Sequence, residues 1–148
     1  MELALACDLV IATETSSFGQ PEIGVGVFPP VGAALYPRLS GLKGTYRLLL
    51  LGRPVLAPEA LRLGLLSHLV KGEELDTTVR EVTTQLERTS GVVLRMTKKA
   101  ILDGLSVPWA GALTQATQFY LEDLMATEDA TEGLKAFLEK RPAKWKDA

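Results

Sequence analysis

Residues 2–26 read ELALACDLVIATETSSFGQPEIGVG, and this stretch decides how the first half of the chain folds. Its apolar start predicts a short helix over residues 1–8, and the apolar and β-branched residues that follow predict a buried strand over residues 9–12. Residues 13–20 are polar and predict a turn. The next segment, PEIGVGVFPP, holds three prolines and two glycines, which predicts an ordered loop or a very short strand.

Two carboxylates in this stretch have surroundings that favour chemistry. Glu2 stands at the head of the apolar helix, and Glu22 stands in the proline-stiffened loop. If the loop folds back over the start of the helix, both side chains enter one small pocket, where paired carboxylates suit general acid and base work. A plainer interpretation stays open, with Glu2 as a first-turn acid favoured by the helix dipole and Glu22 as a solvated turn residue.

Composition and charge exclude several classes of protein. The chain has 148 residues, of which 47% are hydrophobic and 23% charged, as is typical of one globular domain. A net charge of -2 without a basic cluster argues against a nucleic-acid partner. The apolar runs are about half the ~20 residues that a membrane helix needs, so no membrane span is expected. No signal peptide is visible, so the expected location is cytoplasmic; an organellar targeting segment upstream of Met1 stays open.

The single cysteine and the single histidine predict no metal site. One cysteine forms neither an intrachain disulfide nor a cysteine-based metal centre, and Cys7 lies in an apolar run, which predicts a small buried core residue. His68 lies in LLSHLV, a strand candidate, and is interpreted as structural.

The remainder of the chain is predicted to be mainly helical. Apolar spacing and turn residues predict helices at residues 31–39, 45–51, 57–63, 73–89, 92–105, 109–125 and 129–140. Strands are confined to the first half, and two or three short strands do not make a stable sheet alone. We therefore expect the first half to need more sheet from a segment that precedes Met1.

Three separated blocks resemble the enoyl-CoA hydratase/isomerase (crotonase) superfamily. The first is residues 2–26, in which a helix with one glutamate runs into a strand and then into an FGQPEI-type loop with the second glutamate. The others are LLGRPVLAPEALRLGLLSHLV (residues 50–70) and ATEDATEGLKAFLEKRPAKWKD (residues 126–147). Since the blocks agree in order and spacing, the resemblance covers the whole chain.

The resemblance implies an α/β fold. Its core is a crotonase-like spiral of ββα turns, incomplete at the N-terminus, and a C-terminal helical trimerisation region follows. Residues 1–88 would be the C-terminal part of the spiral core with both glutamates, and residues 89–148 the helical region. The implied partners are an acyl-CoA thioester substrate and further copies of the chain, as a homotrimer or a dimer of trimers. No cofactor is implied, because coenzyme A is part of the substrate.

The implied activity is that of an enoyl-CoA hydratase, a lyase of acyl-CoA and fatty acid metabolism. Water adds to a 2-enoyl-CoA to give a 3-hydroxyacyl-CoA, and two backbone N–H groups form an oxyanion hole for the thioester enolate. The resemblance makes Glu2 and Glu22 the catalytic pair: together they hold the water, Glu2 helps activate it for attack at Cβ, and Glu22 supplies the proton at Cα.

Four further positions match substrate contacts of the family. Pro21 and Val25 match the loop that lines the acyl pocket. Phe137 and Lys140 match C-terminal residues that lie near bound CoA, often the CoA of a neighbouring subunit, and a lysine suits a phosphate group.

Two departures from the family pattern leave alternatives open. The glycine-rich turn with one oxyanion donor should precede Glu2, so the chain as written holds both acids without the oxyanion hole. A truncated, non-catalytic subunit that associates with full-length copies is therefore one alternative. After Glu22 the chain reads FPPVGAALYPRL where hydratases usually read PGxGGTxRL, with Pro30 at a usual glycine. The FPP turn resembles dienoyl- or cyclic-diene-CoA hydratases, and an enoyl-CoA isomerase is a further alternative.

Overall fold

A computed structural model describes residues 1–148 and divides them into two compact units, Met1–Glu81 and Val82–Ala148. The predicted border after residue 88, between core and helical region, stays a prediction. The helices and strands in chain order are α1 (Glu2–Leu5), β1 (Ile11–Thr13), β2 (Ser17–Phe18), α2 (Pro30–Leu49), β3 (Val55–Leu56), α3 (Ala57–Arg62), β4 (His68–Val70), α4 (Leu75–Glu87), α5 (Gly91–Gly104), α6 (Trp109–Glu122) and α7 (Glu128–Glu139). Short 3₁₀ turns lie at Glu22–Val25, Gly72–Glu74 and Leu124–Ala126.

The first unit holds two sheets of two strands each. Strands β1 and β4 are parallel, with Ile11 opposite His68, and α2 and α3 lie in the connection that a parallel pair requires. Strands β2 and β3 are antiparallel, with Phe18 opposite Val55. The predicted strand before residue 13 and the strand in LLSHLV are both present. The sequence predicts neither β2 nor β3, because a strand of two residues leaves no alternating pattern.

The hydrophobic core of the first unit joins these short elements. Full burial of one large apolar side chain stabilises by about 1.5–3 kcal/mol. Tyr36 and Leu48 of helix α2 are fully buried in this cluster. The cluster consists of Leu5, Ala12, Tyr36, Leu48, Val55, Ala57, Ala60, Leu65 and Leu66.

Helix α2 contains a break between the two helices that the sequence predicts. The prediction gives two helices, at residues 31–39 and 45–51, with Pro37 as a kink or tightening point. The structure joins two helical segments into one element, Pro30–Leu49, across a kink at Gly41, whose φ of 64 and ψ of 177 are non-helical. Glycine reaches a positive φ without the steric cost that other residues meet, so the chain turns there and Pro37 stays within the helix.

The other predicted helices are present with small shifts at their ends. Helix α3 begins beside Pro58 and ends before Gly64, whose φ of 75 is the left-handed conformation of a C-terminal glycine. Helix α5 begins after Ser90, whose hydroxyl accepts a hydrogen bond from the Val93 N–H as an N-cap. The predicted helix at residues 109–125 consists of α6 and the 3₁₀ turn that follows it.

Carboxylates of helix α7 hold the C-terminal segment of the second unit. Asp129 accepts hydrogen bonds from the Ser90 hydroxyl and from the backbone N–H groups of Lys146 and Asp147, and these lower its pKa, the Ser90 bond most. Glu132 accepts two hydrogen bonds from Arg141, at 2.6 and 2.9 Å, which lower the pKa of its carboxyl to about 2. The acidic start of the third sequence block therefore anchors its basic end.

One sequence prediction about the core is wrong. Cys7 is exposed, and it lies in the turn after α1, where its Sγ is 3.5 Å from the Leu3 carbonyl oxygen. Helix α1 ends at Leu5, so Cys7 lies beyond the helix although it belongs to the same apolar run of sequence. None of the helices is both long enough and apolar enough to cross a membrane.

Gly52 gives a test of how the loop around Glu22 is supported. Its φ is 60, and a Cβ at this position would lie 2.5 Å from the Ile23 Cγ2. We expect Gly52→Ala to lower the free energy of unfolding by about 1–3 kcal/mol, because alanine meets both the backbone strain and this clash. The measurement is urea unfolding followed by circular dichroism.

Gly72→Ala is the matched control, because Gly72 has no positive φ and a Cβ there would meet nothing within 4 Å. We expect it to change the free energy of unfolding by less than about 0.5 kcal/mol. Equal stability of the two variants would contradict the close packing of Gly52 on Ile23.

Candidate active site

Glu2 is placed by the buried end of helix α1 and by the start of helix α2. Leu5 anchors α1 in the core, and Glu2 lies in its first turn. The Glu2 Oε1 accepts a hydrogen bond of 2.8 Å from the Gly32 N–H. That N–H belongs to the first turn of α2, where backbone donors lack intrahelical partners and the helix dipole favours negative charge. Glu2 therefore caps α2 from another part of the chain.

Glu22 begins a 3₁₀ turn that fixes its position. The turn Glu22–Val25 closes with Gly26 in a left-handed conformation, and the Gly24 N–H donates to the Pro21 carbonyl at 2.9 Å. Glycine is suited to this φ of 80 because it lacks a Cβ. Glu22 is half-buried, and its Oε2 is buried without a hydrogen-bond partner in the protein.

Gln20 joins the two glutamates. Its side chain is buried, with 4% exposed, and it follows strand β2 where Gly19 packs closely on Pro54. The Gln20 Nε2 lies 3.4 Å from the Glu2 Oε1 and 3.5 Å from the Glu22 Oε1. One amide group, which carries two N–H donors, thus faces both carboxylates. The predicted approach of the loop to the start of α1 is present in the structure.

Tyr36 adds a phenol to this group of residues. It is fully buried in α2, and its hydroxyl has no hydrogen-bond partner in the protein. Burial first, and then the negative charges of Glu2 and Glu22, raise the pKa of Tyr36 to about 12. The hydroxyl is therefore neutral, and it is an available donor, throughout the ordinary pH range.

The other predicted site residues lie at exposed positions. Pro21 precedes the 3₁₀ turn, and Val25, at its end, is 80% exposed. Phe137 of α7 is also 80% exposed, and Lys140 caps α7 with a left-handed φ of 54. Acyl contacts of the first two and CoA contacts of the last two stay predictions. His68 is exposed in β4 and faces Ile11 across the sheet.

Sequence reasoning missed Gln20, Gly32 and Tyr36. Their signals were present but weak. Gln20 is a polar residue between Gly19 and Pro21, at the end of the polar segment 13–20. Gly32 and Tyr36 are four residues apart in a segment that starts at Pro30, which is the spacing of one helix face.

This arrangement can move protons at a bound reactant. Two carboxylates serve as acceptor and donor of a proton when they face the same small space. Buried polar atoms without partners are uncommon in proteins, so Glu22 Oε2 and the Tyr36 hydroxyl mark where a polar ligand would be bound. The site thus combines acid–base groups with unused hydrogen-bonding capacity.

Comparison with known proteins gives one family. The family model described as "Enoyl-CoA hydratase/isomerase" matches residues 1–148. The chain is 38% identical over 141 residues to a probable enoyl-CoA hydratase of Mycobacterium bovis, covering 95% of this chain and 54% of that protein. It is 37% identical over 147 residues to the cyclohexa-1,5-dienecarbonyl-CoA hydratase of Thauera aromatica, covering 99% of this chain and 57% of that protein.

The fold also matches solved structures. A crystal structure of an enoyl-CoA hydratase from Bacillus anthracis superposes with a TM-score of 0.91 at 33% identity, covering 99% of this chain and 57% of that one. The predicted crotonase-type α/β fold is therefore confirmed. The chain spans about half the length of the curated relatives that it matches.

Titration of Tyr36 tests the electrostatics of the site. The absorbance of tyrosinate, recorded after a rapid pH jump and corrected with Tyr36→Phe, should give a midpoint of about 12. Glu22→Gln should lower this midpoint because it removes a negative charge, yet leave it above 10 because burial is the larger cause. The folded state should lose stability between pH 10 and 12, where the unfolded phenol ionises and the buried one does not.

Glu14→Gln is the control for the change in charge, because Glu14 is exposed in the turn after β1. It should leave the midpoint unchanged. A Tyr36 midpoint near 10 in the unmodified protein would contradict a buried phenol close to two carboxylates.

Proposed function

The chain belongs to the enoyl-CoA hydratase/isomerase family, and on that premise we propose that it carries the acid–base centre of an enoyl-CoA hydratase. The enzyme adds water to a 2-enoyl-CoA thioester and forms a 3-hydroxyacyl-CoA. One observation carries the proposal: the Gln20 amide lies within hydrogen-bonding distance of both Glu2 and Glu22. Two acids twenty positions apart in the chain thus lie on either side of one amide group, and two carboxyl groups that face the same small space can act as proton acceptor and proton donor.

The two glutamates take different roles in the reaction. In the starting state Glu2 is a carboxylate and Glu22 carries a proton. As the water oxygen bonds to Cβ, one water O–H bond breaks and its proton passes to Glu2, while the O–H bond of Glu22 breaks and its proton passes to Cα. The Cα–Cβ double bond becomes single, and no electrons leave the substrate. A proton then passes from Glu2 to Glu22 through the next bound water, which restores the starting state.

The hydrogen bonds of Glu2 support its role as the base. Its Oε1 accepts from the Gly32 N–H and faces the Gln20 amide. Donors of this kind stabilise the ionised carboxylate, and they hold it in one orientation. The second oxygen of Glu2 is left to accept the proton of the water.

The wider features of the enzyme belong to the same proposal. Addition of water to a double bond is redox-neutral and needs no electron transfer to a metal or flavin, so we propose no cofactor beyond the CoA of the substrate. Pro21 and Val25 are assigned to the acyl pocket, and Phe137 and Lys140 to the CoA. We also propose a cytosolic enzyme, since a free thiol such as Cys7 suits a reducing compartment.

A trimer, or a dimer of trimers, is the proposed assembly. Exposed apolar side chains on helix α6 support it, since such residues in a group are typical of protein contacts. They are Trp109, Leu113, Tyr120 and Leu121, which are 50% to 79% exposed.

A second candidate function is the hydration of a cyclic dienoyl-CoA. Two observations favour it: the FPP turn, and the 37% identity to a protein named cyclohexa-1,5-dienecarbonyl-CoA hydratase. In the structure Pro29 and Pro30 of this turn begin helix α2, so they set the position of the Gly32 N–H that holds Glu2. The FPP turn thus helps to fix the position of Glu2, one of the two proposed catalytic acids.

Substitution of the two glutamates by glutamine tests the leading proposal. Glu22→Gln and Glu2→Gln, each made in the full-length protein, should lower kcat for crotonyl-CoA hydration by at least about 10²-fold, because the amide cannot exchange the proton. Glutamine keeps a carbonyl oxygen at position 2 for the Gly32 N–H, so the fold should persist. The measurement is the loss of enoyl-thioester absorbance, with unfolding curves as the check on folding.

Glu14→Gln again serves as the matched control and should leave turnover unchanged, because Glu14 lies exposed outside the site. Unchanged turnover in Glu22→Gln would overturn the assignment of Glu22.

A panel of thioesters separates the two candidate reactions. If linear 2-enoyl-CoA is the substrate class, kcat/KM for crotonyl-CoA should exceed that for cyclohexa-1,5-dienecarbonyl-CoA by at least about 10-fold, a difference in transition-state binding of about 1.4 kcal/mol. The reverse order would establish the cyclic diene as the substrate. Formation of an isomerised enoyl-CoA without a hydroxyacyl product would favour the isomerase alternative.

A further inference from the structure

We propose that the Tyr36 hydroxyl is a third contact of the reacting water and donates a hydrogen bond to its oxygen. This role rests on the proposed hydratase function and assigns it a residue outside the glutamate pair. Two buried polar groups of the site have no hydrogen-bond partner in the protein. The Glu22 Oε2 is an acceptor, and the Tyr36 hydroxyl is a donor. A water bound between them satisfies both.

Helix α2 brings Tyr36 to the glutamates. The helix starts at Pro30, and Gly32 and Tyr36 follow one turn apart on the same face. Gly32 donates to Glu2, and the ring of Tyr36 lies so close over Gly32 that a Cβ there would be 3.0 Å from the Tyr36 Cε2. The absence of a side chain at position 32 therefore lets the phenol lie beside the Glu2 anchor.

The other donors close to the acids are already used. The Gly32 N–H is engaged by Glu2, and the Gln20 amide has two N–H groups, one for each glutamate. A water molecule has two protons and two lone pairs. If one water proton faces Glu2, the other faces the unprotonated Oε2 of Glu22, and one lone pair accepts from Tyr36, then the remaining lone pair points to Cβ.

The phenol of Tyr36 can donate a hydrogen bond to the water without losing its proton. The hydroxyl orients the water, and it gives up no proton, so the proton balance of the reaction is unchanged. Burial keeps the pKa of Tyr36 at about 12, so the phenol retains its proton at the pH where the enzyme works. Catalytic hydrogen bonds that are open in the free enzyme commonly tighten when the substrate binds.

Removal of the single oxygen atom tests this role. Tyr36→Phe keeps the ring over Gly32, and in the full-length protein it should lower kcat for crotonyl-CoA by about 10- to 100-fold, with KM changed by less than about 2-fold, because only a transition-state contact is lost. Tyr46→Phe is the matched control: it makes the same change within α2, beyond the kink at Gly41, at a residue 47% exposed. It should leave kcat unchanged.

A second measurement covers the case in which Tyr36→Phe does not fold. Incorporation of a fluorinated tyrosine at position 36 preserves the shape of the side chain and makes the phenol more acidic. The pH profile of kcat should then gain an alkaline limb where the phenol ionises, because phenolate is no donor. The same replacement at Tyr46 should give no such limb. A purely structural Tyr36 would give none at either position.

The outcomes separate this role from the proposed function. If Glu22→Gln is inactive but Tyr36→Phe keeps kcat within about 2-fold of the parent protein, the role of Tyr36 is wrong and the hydratase assignment stands. If Glu22→Gln is as active as the parent, or if the parent hydrates no thioester, the proposed function fails and the role of Tyr36 fails with it. Loss of kcat in Tyr36→Phe but not in Tyr46→Phe, or an alkaline limb at position 36 alone, supports the role.

Discussion

Two carboxyl groups must be held side by side, and the first unit depends on how the chain meets this constraint. Were both ionised about 4 Å apart near a protein surface, they would repel each other by about 4 kcal/mol. A hydrogen bond to a charged group contributes about 1.5–3 kcal/mol in return. The 2.8 Å bond from Gly32 to Glu2 is the strong one. The Gln20 contacts, at 3.4 and 3.5 Å, are at the outer limit of hydrogen bonding, so they orient the two acids more than they stabilise them.

The fold supplies these donors from separate elements, each anchored in the core. Leu5 fixes the helix of Glu2, the β2–β3 pair delivers Gln20, and Leu48 fixes helix α2. The Gly32 N–H is free for Glu2 because Pro29 and Pro30 start the helix without a side-chain cap of their own. The same carboxylate thus completes a helix end and belongs to the site. The proline turn that departs from the usual family pattern is therefore part of the site's support.

The sequence predicts most of the regular structure and only part of the site. Helix α3 is predictable because Pro58 and Gly64 mark its two ends. The approach of Glu2 and Glu22 is predictable because their motif is specific, and their catalytic role stays a prediction. Cys7 was misplaced because an apolar run does not show where a short helix stops. The break between the two predicted helices lies at Gly41, because glycine adopts the positive φ found there, whereas Pro37, which the sequence marks as a kink, stays within the helix. Gln20 and Tyr36 gave no strong signal, since their importance arises from contacts between elements far apart in the chain.

A crystal structure of the full-length protein with a 3-hydroxyacyl-CoA product bound is the most direct measurement of whether Glu2 and Glu22 form one catalytic centre. The hydroxyl oxygen on Cβ comes from the reacting water, so it marks where that water was bound. It should lie within about 3 Å of a carboxylate oxygen of each glutamate. A product whose hydroxyl contacts neither glutamate, or contacts one while the other faces away, would contradict a shared centre.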